Sequence, residues 1–343
     1  RIQFSMLVEK HVSLLPFNTF GLDVKADFLV KISAINDIRA VLSDETLKHQ
    51  DRLILGGGSN ILFTRNVKGV VLLNRIDGIE IIREENNQVF VKAGAGVVWH
   101  DLVMWCIEQG LGGMENLSLI PGSVGAGPMQ NIGAYGVELK DVFFELEAMH
   151  LDTMEMQKFS AEDCKFGYRE SVFKHELRNR FFITSVTFRL TRNPVLNTSY
   201  GAIATELQKM NVTAPGIREV SNAVINIRRS KLPDPKMLGN AGSFVKNSEV
   251  DQVVFDQLKD AYPAIVGYPT IPGKVKLAAG WLIKQCGWKG KVVGHTGSHK
   301  DQALVLVNYG GASGKEVYEL ALAIRDSVLT KFGVRIDPEV NVY

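Results

Sequence analysis

A soluble chain of two or three compact domains, mixing strands and helices, is what the sequence predicts. Three observations predict it. The length, 343 residues, sets the domain count. The composition, 45% hydrophobic and 22% charged, is that of a globular protein with a full core. Short apolar runs alternate with glycine loops in the first half, and helical spacing dominates the second.

"DRLIL" reads as a strand that runs into the glycine loop "GGGSN", Gly56 to Asn60. "GVVLLN" (Gly69 to Asn74) and "QVFVKAGAG" (Gln88 to Gly96) follow as strands. "VVWHDLVMWCIEQG" has helical spacing, with Val98, Leu102, Cys106 and Ile107 on one face and Gly110 as its stop. A glycine-rich stretch, Ile120 to Gly136, comes next, then a buried strand from Phe181 to Leu190. The polar run from Arg192 to Gly201 is a candidate domain boundary. Helices are expected over Ala214 to Arg229, Val250 to Ala261 and Leu277 to Cys286, and a strand over Gln302 to Asn308. "SGKEVYELALAIRDSVLTKFG" carries an apolar stripe of Val317, Leu320, Ala321, Ile324, Val328 and Phe332. Ser313 suits its N-cap, with Glu316 three residues on, and Gly333 suits its end. A last strand holds "DPEVNVY".

A net charge of +2 without a basic or acidic block argues against nucleic acid or an anionic membrane as partner. It leaves room for an anionic small molecule. The three cysteines, Cys106, Cys164 and Cys286, form no CxxC pair, so a zinc site or redox dithiol is not expected. Buried thiols in a cytosolic, reducing compartment fit. No apolar run is long enough to span a bilayer, and the first residues lack the pattern of a signal peptide.

Three stretches invite a chemical reading. Glycine loops at Gly56–Gly58, Gly94–Gly96 and 120–136 expose backbone N–H groups that can hold an anion. Each alone is equally a tight turn, and a pyrophosphate needs several to converge. Neither a G-x-x-x-x-G-K-[ST] loop nor a helix-opening G-x-G-x-x-G is present: Trp99 stands where the third glycine belongs. A dinucleotide would therefore need a fold other than the Rossmann type. In "GNAGSFVKN", Ser243 sits among small residues after the stiff "KLPDPK", and it is either a reactive hydroxyl or a turn serine. Tyr168 and Arg169 in "FGYRES" are either a surface pair or a carboxylate clamp. His295 and His299 have i, i+4 spacing, but the adjoining glycines oppose a helix and no carboxylate accompanies them, so no metal is expected.

Taken in order, "FNTFG" (Phe17 to Gly21), "GGGSN", "IPGSVGAGPMQNIGAYG", "FGYRES", "KLPDPK", "GNAGSFVKN" and "PEV" (Pro338 to Val340) resemble the UDP-N-acetylenolpyruvoylglucosamine reductase family. The resemblance runs from about Phe17 to the C-terminus. It implies an α+β fold: a two-subdomain FAD-binding module of the vanillyl-alcohol-oxidase/p-cresol-methylhydroxylase type, plus a C-terminal α+β substrate-binding domain. It places the first FAD subdomain at 1–75, with the strand 333–343 returning to the active site, the second at 76–200, and the substrate domain at 201–332.

The resemblance also implies an activity. NADPH reduces noncovalent FAD, and FAD N5 then passes hydride to C3 of UDP-N-acetylglucosamine enolpyruvate, giving UDP-N-acetylmuramate for peptidoglycan. Ser243 would protonate C2, Arg169 would bind the carboxylate and Glu339 would assist the enol form. Lys246 or Lys231 would tune the serine. Tyr168, Tyr200, Lys231, Asn247 and Gln302 would bind substrate, with Tyr200 on a loop that closes over UDP in one subclass. Gly56, Gly57, Gly58, Ser59, Asn60, Ile120, Pro121, Gly122, Ala126, Met129, Gly133 and Ile183 would hold FAD. A monomer in the cytoplasm, without nucleic-acid or membrane partners, completes the expectation.

The chain departs from the family at Ala202, where Asp is common, and at Val245 and Ser248, where Phe and Pro are common. Ala126 offers no hydroxyl to a phosphate. Two other readings stand beside this one: a different flavo-oxidoreductase on the same scaffold, such as a sugar or alcohol oxidase, and a non-catalytic nucleotide-sugar-binding protein.

Overall fold

The structure, a computed structural model, describes residues 6–343. Contacts divide the chain into two compact units. The described residues up to Val12, with Lys25–Gly57 and Val67–Ser230, form the first; Ser13–Val24, Gly58–Asn66 and Lys231–Tyr343 form the second. The polar run at 192–201 therefore lies inside the first unit.

The first unit is built on two sheets. One has four strands in the order Val8–Ser13, Lys25–Ile32, Val67–Asn74, Arg52–Leu55, and its last three are parallel. Val67–Asn74 is an inner strand, buried from Gly69 through Asn74, which is why "GVVLL" reads as an unbroken apolar run. The helix Ile35–Ser43 covers this sheet through Ile38, Val41 and Leu42. The other sheet is antiparallel, in the order Met156–Ser160, Phe143–His150, Phe181–Thr191, Gln88–Gly94, Ile79–Glu85. Its central strand, Phe181–Thr191, is buried from Phe181 through Phe188. The helix Trp99–Glu108 packs into the core of this sheet through Leu102, Cys106 and Ile107 as read in the sequence, with Trp99 in place of Val98. Val98 is 53% exposed and precedes the helix, while Trp99 is fully buried. The Trp99 indole donates to the Leu117 carbonyl at 2.9 Å, which satisfies its one polar atom inside the core. Burial pushes the Cys106 and Cys164 thiols up to about 12, so both stay protonated and inert at neutral pH.

The second unit has a four-stranded antiparallel sheet in the order Gly239–Ser243, Val305–Asn308, Thr296–Ser298, Val292–Val293. A smaller antiparallel sheet joins Ser248–Asp251, Lys274–Leu277 and Gly267–Pro269. Asn341–Val342 pairs in parallel with Ile61–Leu62. The long helix Gly314–Phe332 lays its expected stripe on this core, capped by Ser313 Oγ at the Glu316 N–H (3.1 Å) and closed by Gly333 in the left-handed conformation (φ 67°).

Helices expected from Ala214, Val250 and Leu277 begin instead at Ile217, Gln252 and Ala279. Before the last two, the alternating "SEVD" and "KVKL" pair with each other as strands. The strand expected from Gln302 begins at Val305, because Gln302 forms a turn that takes the Val305 N–H at 3.0 Å. Among the described residues no helix is long and apolar enough to cross a membrane.

Candidate active site

In the first unit the glycine loops meet. A Cβ on Gly57 would lie 3.1 Å from Gly122 Cα, and one on Gly56 would lie 2.3 Å from Ser123 Oγ. The 120–136 loop is tied in turn to the end of Gln88–Gly94. Val124 N–H donates to Val97 O (2.8 Å), Gly125 N–H to Ala95 O (2.8 Å), and Trp99 N–H to Gly122 O (2.9 Å). Gly96 lies flat on Arg75, where a Cβ would come within 2.5 Å of backbone. Arg75 Nη1 then reaches the Gly56 carbonyl at 3.4 Å and closes a ring of four segments. Sequence reasoning missed Arg75; its signal is an arginine at the end of a buried strand, next to a glycine loop. Glycine at the contacts brings backbone to backbone, and the guanidinium adds positive charge, the combination a diphosphate needs. The residues present thus fit an FAD pyrophosphate. Pro121, Ala126 and Met129 are exposed on this loop and offer apolar surface. Ile183 is buried in the central strand, with its carbonyl held by Asn74 Nδ2 at 3.0 Å.

"FGYRES" folds into a hairpin tip closed by two bonds between Gly167 and Glu170 (3.0 and 3.2 Å), with Arg169 in the left-handed region (φ 54°). The hairpin is fastened to the 120–136 loop by four side-chain bonds, one of them from Arg169 Nη1 to Asn131 O (3.4 Å). Arg169 Nη2 donates to Gly133 O (2.8 Å), Ser171 Oγ to Met129 O (2.6 Å), and the buried Asn131 Nδ2 to Gly167 O (2.9 Å). Tyr168 is half exposed, with the Arg169 guanidinium 5.2 Å from its ring centre. Of the pair, Arg169 is fastened to the 120–136 loop, and Tyr168 stays exposed. Tyr200 precedes the helix Gly201–Lys209, is half exposed, and meets the Tyr135 ring edge to face at 5.5 Å.

The second unit holds further residues of the expected set. Ser243 is half-buried at the end of Gly239–Ser243, just past a bulge where Gly242 takes φ +68°. A Cβ on Gly242 would meet nothing within 4 Å, so the bulge faces open space. Asn240, missed in the sequence, links the stiff approach to that bulge: Nδ2 donates to Pro233 O (3.2 Å) and Leu238 O (2.8 Å), and Oδ1 accepts from Gly242 N (2.9 Å). The next residue, Phe244, gives its carbonyl to the Glu339 N–H at 2.7 Å. Asn60 joins the same cluster, donating through Nδ2 to Glu339 O (3.4 Å) and accepting from Asn341 N (3.0 Å). The segments that carry Ser243, Glu339 and Asn60, far apart in sequence, are thus joined through backbone groups. The "GGGSN" segment divides, with Gly56 and Gly57 in the first unit and Gly58, Ser59 and Asn60 in the second.

The remaining expected residues are less constrained. Lys231 is exposed at the end of the helix Ile217–Lys231. Asn247 Oδ1 accepts the first helical N–H, of Ala279, at 2.9 Å, which gives it a structural bond as well. Gln302 is half-buried in the turn before Val305. Of the two histidines, His295 Nδ1 stands 3.3 Å from Glu316, and His299 Nδ1 accepts the Asp301 N–H at 3.2 Å.

The parallel and antiparallel sheets with converging glycine loops make an α+β module, and residues 26–156 match the model of an FAD binding domain. Residues 234–343 match the C-terminal domain of UDP-N-acetylenolpyruvoylglucosamine reductase. The chain belongs to the UDP-N-acetylenolpyruvoylglucosamine reductase family. It is 46% identical to the Flavobacterium johnsoniae reductase over 338 residues, covering 98% of this chain and 100% of that one. It is 48% identical to the Pseudomonas aeruginosa reductase over 339 residues, covering 99% and 100%. The crystal structure of the Thermus caldophilus reductase superposes with a TM-score of 0.68 at 23% identity, over 98% of this chain and 99% of that one.

Proposed function

We propose that the chain reduces UDP-N-acetylglucosamine enolpyruvate to UDP-N-acetylmuramate for peptidoglycan, with FAD as cofactor and NADPH as reductant. Its identity to reductases along nearly their whole length carries this reading. FAD, when bound, supplies the hydride that reaches C3 of the enolpyruvyl group. The chain's residues do the rest. Charge develops at C2 and in the neighbouring carboxylate, and preorganised donors stabilise it best. Arg169, pinned by its bonds to Gly133 and Asn131, binds the carboxylate. Glu339, tied through Phe244 to the serine segment, assists the enol form. Ser243 donates its proton to C2, which asks for placement within about 3 Å rather than a low pKa.

The glycine ring, with Arg75, holds the FAD pyrophosphate noncovalently. Segments 1–75 and 76–200 serve as the cofactor-binding parts, 201–332 as the substrate part, and 333–343 completes the active site by bringing Glu339 beside Phe244. Tyr168, Tyr200, Lys231, Asn247 and Gln302 contact the nucleotide sugar. The enzyme works as a cytoplasmic monomer.

The test is an anaerobic absorbance titration. Yellow protein should bleach with NADPH and recolour on addition of the enolpyruvyl sugar nucleotide. Bleaching without recolouring would overturn the substrate assignment. Ser243→Ala should keep flavin reduction near normal and slow reoxidation by about 10²–10⁴. Normal turnover in that variant would return Ser243 to a turn role.

A further inference from the structure

The motif "FNTFG", Phe17 to Gly21, has no part in the reaction above, yet it lies between two segments that do. It forms a tight turn in the second unit. Asn18 is buried and closes that turn. Its Nδ2 donates to Leu14 O (2.8 Å) and Leu22 O (2.9 Å), and its Oδ1 accepts the Leu22 N–H (3.0 Å). Both amide N–H groups and the amide carbonyl are thus used on backbone. Replacing this side chain removes three buried bonds from one turn at once.

On one side the turn holds Gly58. Thr19 donates to Gly58 O through its N–H (2.9 Å) and through Oγ1 (3.3 Å). A Cβ on Gly58 would lie 1.9 Å from Phe17 O, so backbone rests on backbone there. On the other side the turn holds the strand Gly239–Ser243. Thr19 O accepts the Asn240 N–H (3.0 Å), and a Cβ on Gly239 would lie 2.3 Å from Phe20 O. Phe20 O also accepts from Asn308 Nδ2 (2.9 Å), on the strand paired with Gly239–Ser243. The Phe20 ring meets that of Phe244, next to Ser243, edge to face at 6.3 Å. Thr19 therefore carries backbone bonds both to Gly58 and to the strand that ends at Ser243.

We propose that Asn18 is a positioning residue for proton transfer: by fixing the turn, it sets the separation between Gly58 and Ser243. The proposal rests on the reading that Gly58 helps to hold FAD and that Ser243 protonates C2. Hydride and proton must reach adjacent carbons of one substrate, so the flavin loop and the hydroxyl must be held at a set distance. A misplacement of about 1 Å costs roughly 10²-fold. Flavin reduction by NADPH does not use Ser243, so the turn bears on the second half-reaction and not on the first.

The experiment follows both half-reactions of the flavin-loaded enzyme by stopped-flow absorbance. The variants are Asn18→Ala, Thr19→Val and Thr19→Ser, with Asn18→Ala also made in a Ser243→Ala background. Asn18→Ala should slow reoxidation by saturating enolpyruvyl sugar nucleotide about 10- to 100-fold. Its flavin reduction at saturating NADPH should stay within about twofold of the wild type. Thr19→Val loses Oγ1 and keeps the backbone bonds, so reoxidation should slow by only about threefold, and Thr19→Ser should restore it. In the Ser243→Ala background Asn18→Ala should slow reoxidation no further, because residues that act as a unit are not additive. Unchanged reoxidation in Asn18→Ala, or an equal loss in both half-reactions, would overturn the positioning role. So would a full further loss on top of Ser243→Ala. Normal reoxidation in Ser243→Ala alone is a different failure: the proton-donor reading falls, and the proposal with it. Should Asn18→Ala not fold, Thr19→Val must show the selective loss and Thr19→Ser its recovery; failing either, the proposal is wrong.

Discussion

Ser243 owes its setting to its neighbours. The bulge at Gly242 turns it, Asn240 staples the bulge to Pro233 and Leu238, and Phe244 carries the bond to Glu339. The small residues around Ser243 were legible in the sequence; the staple was not, because an asparagine in a loop looks like any other turn residue. Two glycines separate the reasons for having glycine. Gly58 has φ +63°, and a Cβ there would lie 1.9 Å from the Phe17 carbonyl oxygen. Gly242 has φ +68° with open space around it. Gly242→Ala should therefore cost only the left-handed penalty, about 1–2 kcal/mol. Gly58→Ala adds a backbone clash, so it should lower Tm further and shed FAD. Thermal unfolding of the two variants checks the order, and equal shifts would contradict the clash.

At the scale of elements, strongly periodic segments follow their sequence closely. Gly314–Phe332 has its stripe, cap and stop where they were read, because all three signals are local. Ser313→Ala removes the hydroxyl that takes the Glu316 N–H and should destabilise by about 1 kcal/mol, measured by denaturant melts, with the slope m unchanged. Short elements depart more. Ser248–Asp251 and Lys274–Leu277 are strands because each finds the other, and neither is long enough to declare itself alone. The Gly167–Glu170 hairpin is a similar case. Its shape is local, but what orients Arg169 is the loop carrying Asn131 and Gly133.

For the whole molecule, the C-terminus has an importance that its length hides. Asn341–Val342 pairs with Ile61–Leu62, Thr64 N–H reaches Tyr343 O at 2.8 Å, and Asn60 holds Glu339. A chain ended after Asp337 should lose turnover and bind FAD more weakly, since Glu339 goes and Asn60 loses its bonds to Glu339 and Asn341. Flavin retention on gel filtration and the reoxidation assay check this; a truncated enzyme that keeps both would remove Glu339 and the terminal strand from the site. The sequence by itself determined the mixed architecture, the long helix, the failure of the Rossmann pattern and the motifs that carry the family. These depend on spacing and residue type, which act over a few residues. Only the tertiary structure decided that four loop segments close a ring through Arg75 and that Ser243 meets Glu339 through Phe244. It also decided that Arg228 Nε is buried without a hydrogen-bond partner among the described residues. Those facts rest on contacts between distant parts of the chain, and chain entropy lets local sequence specify such contacts only through the fold that gathers them.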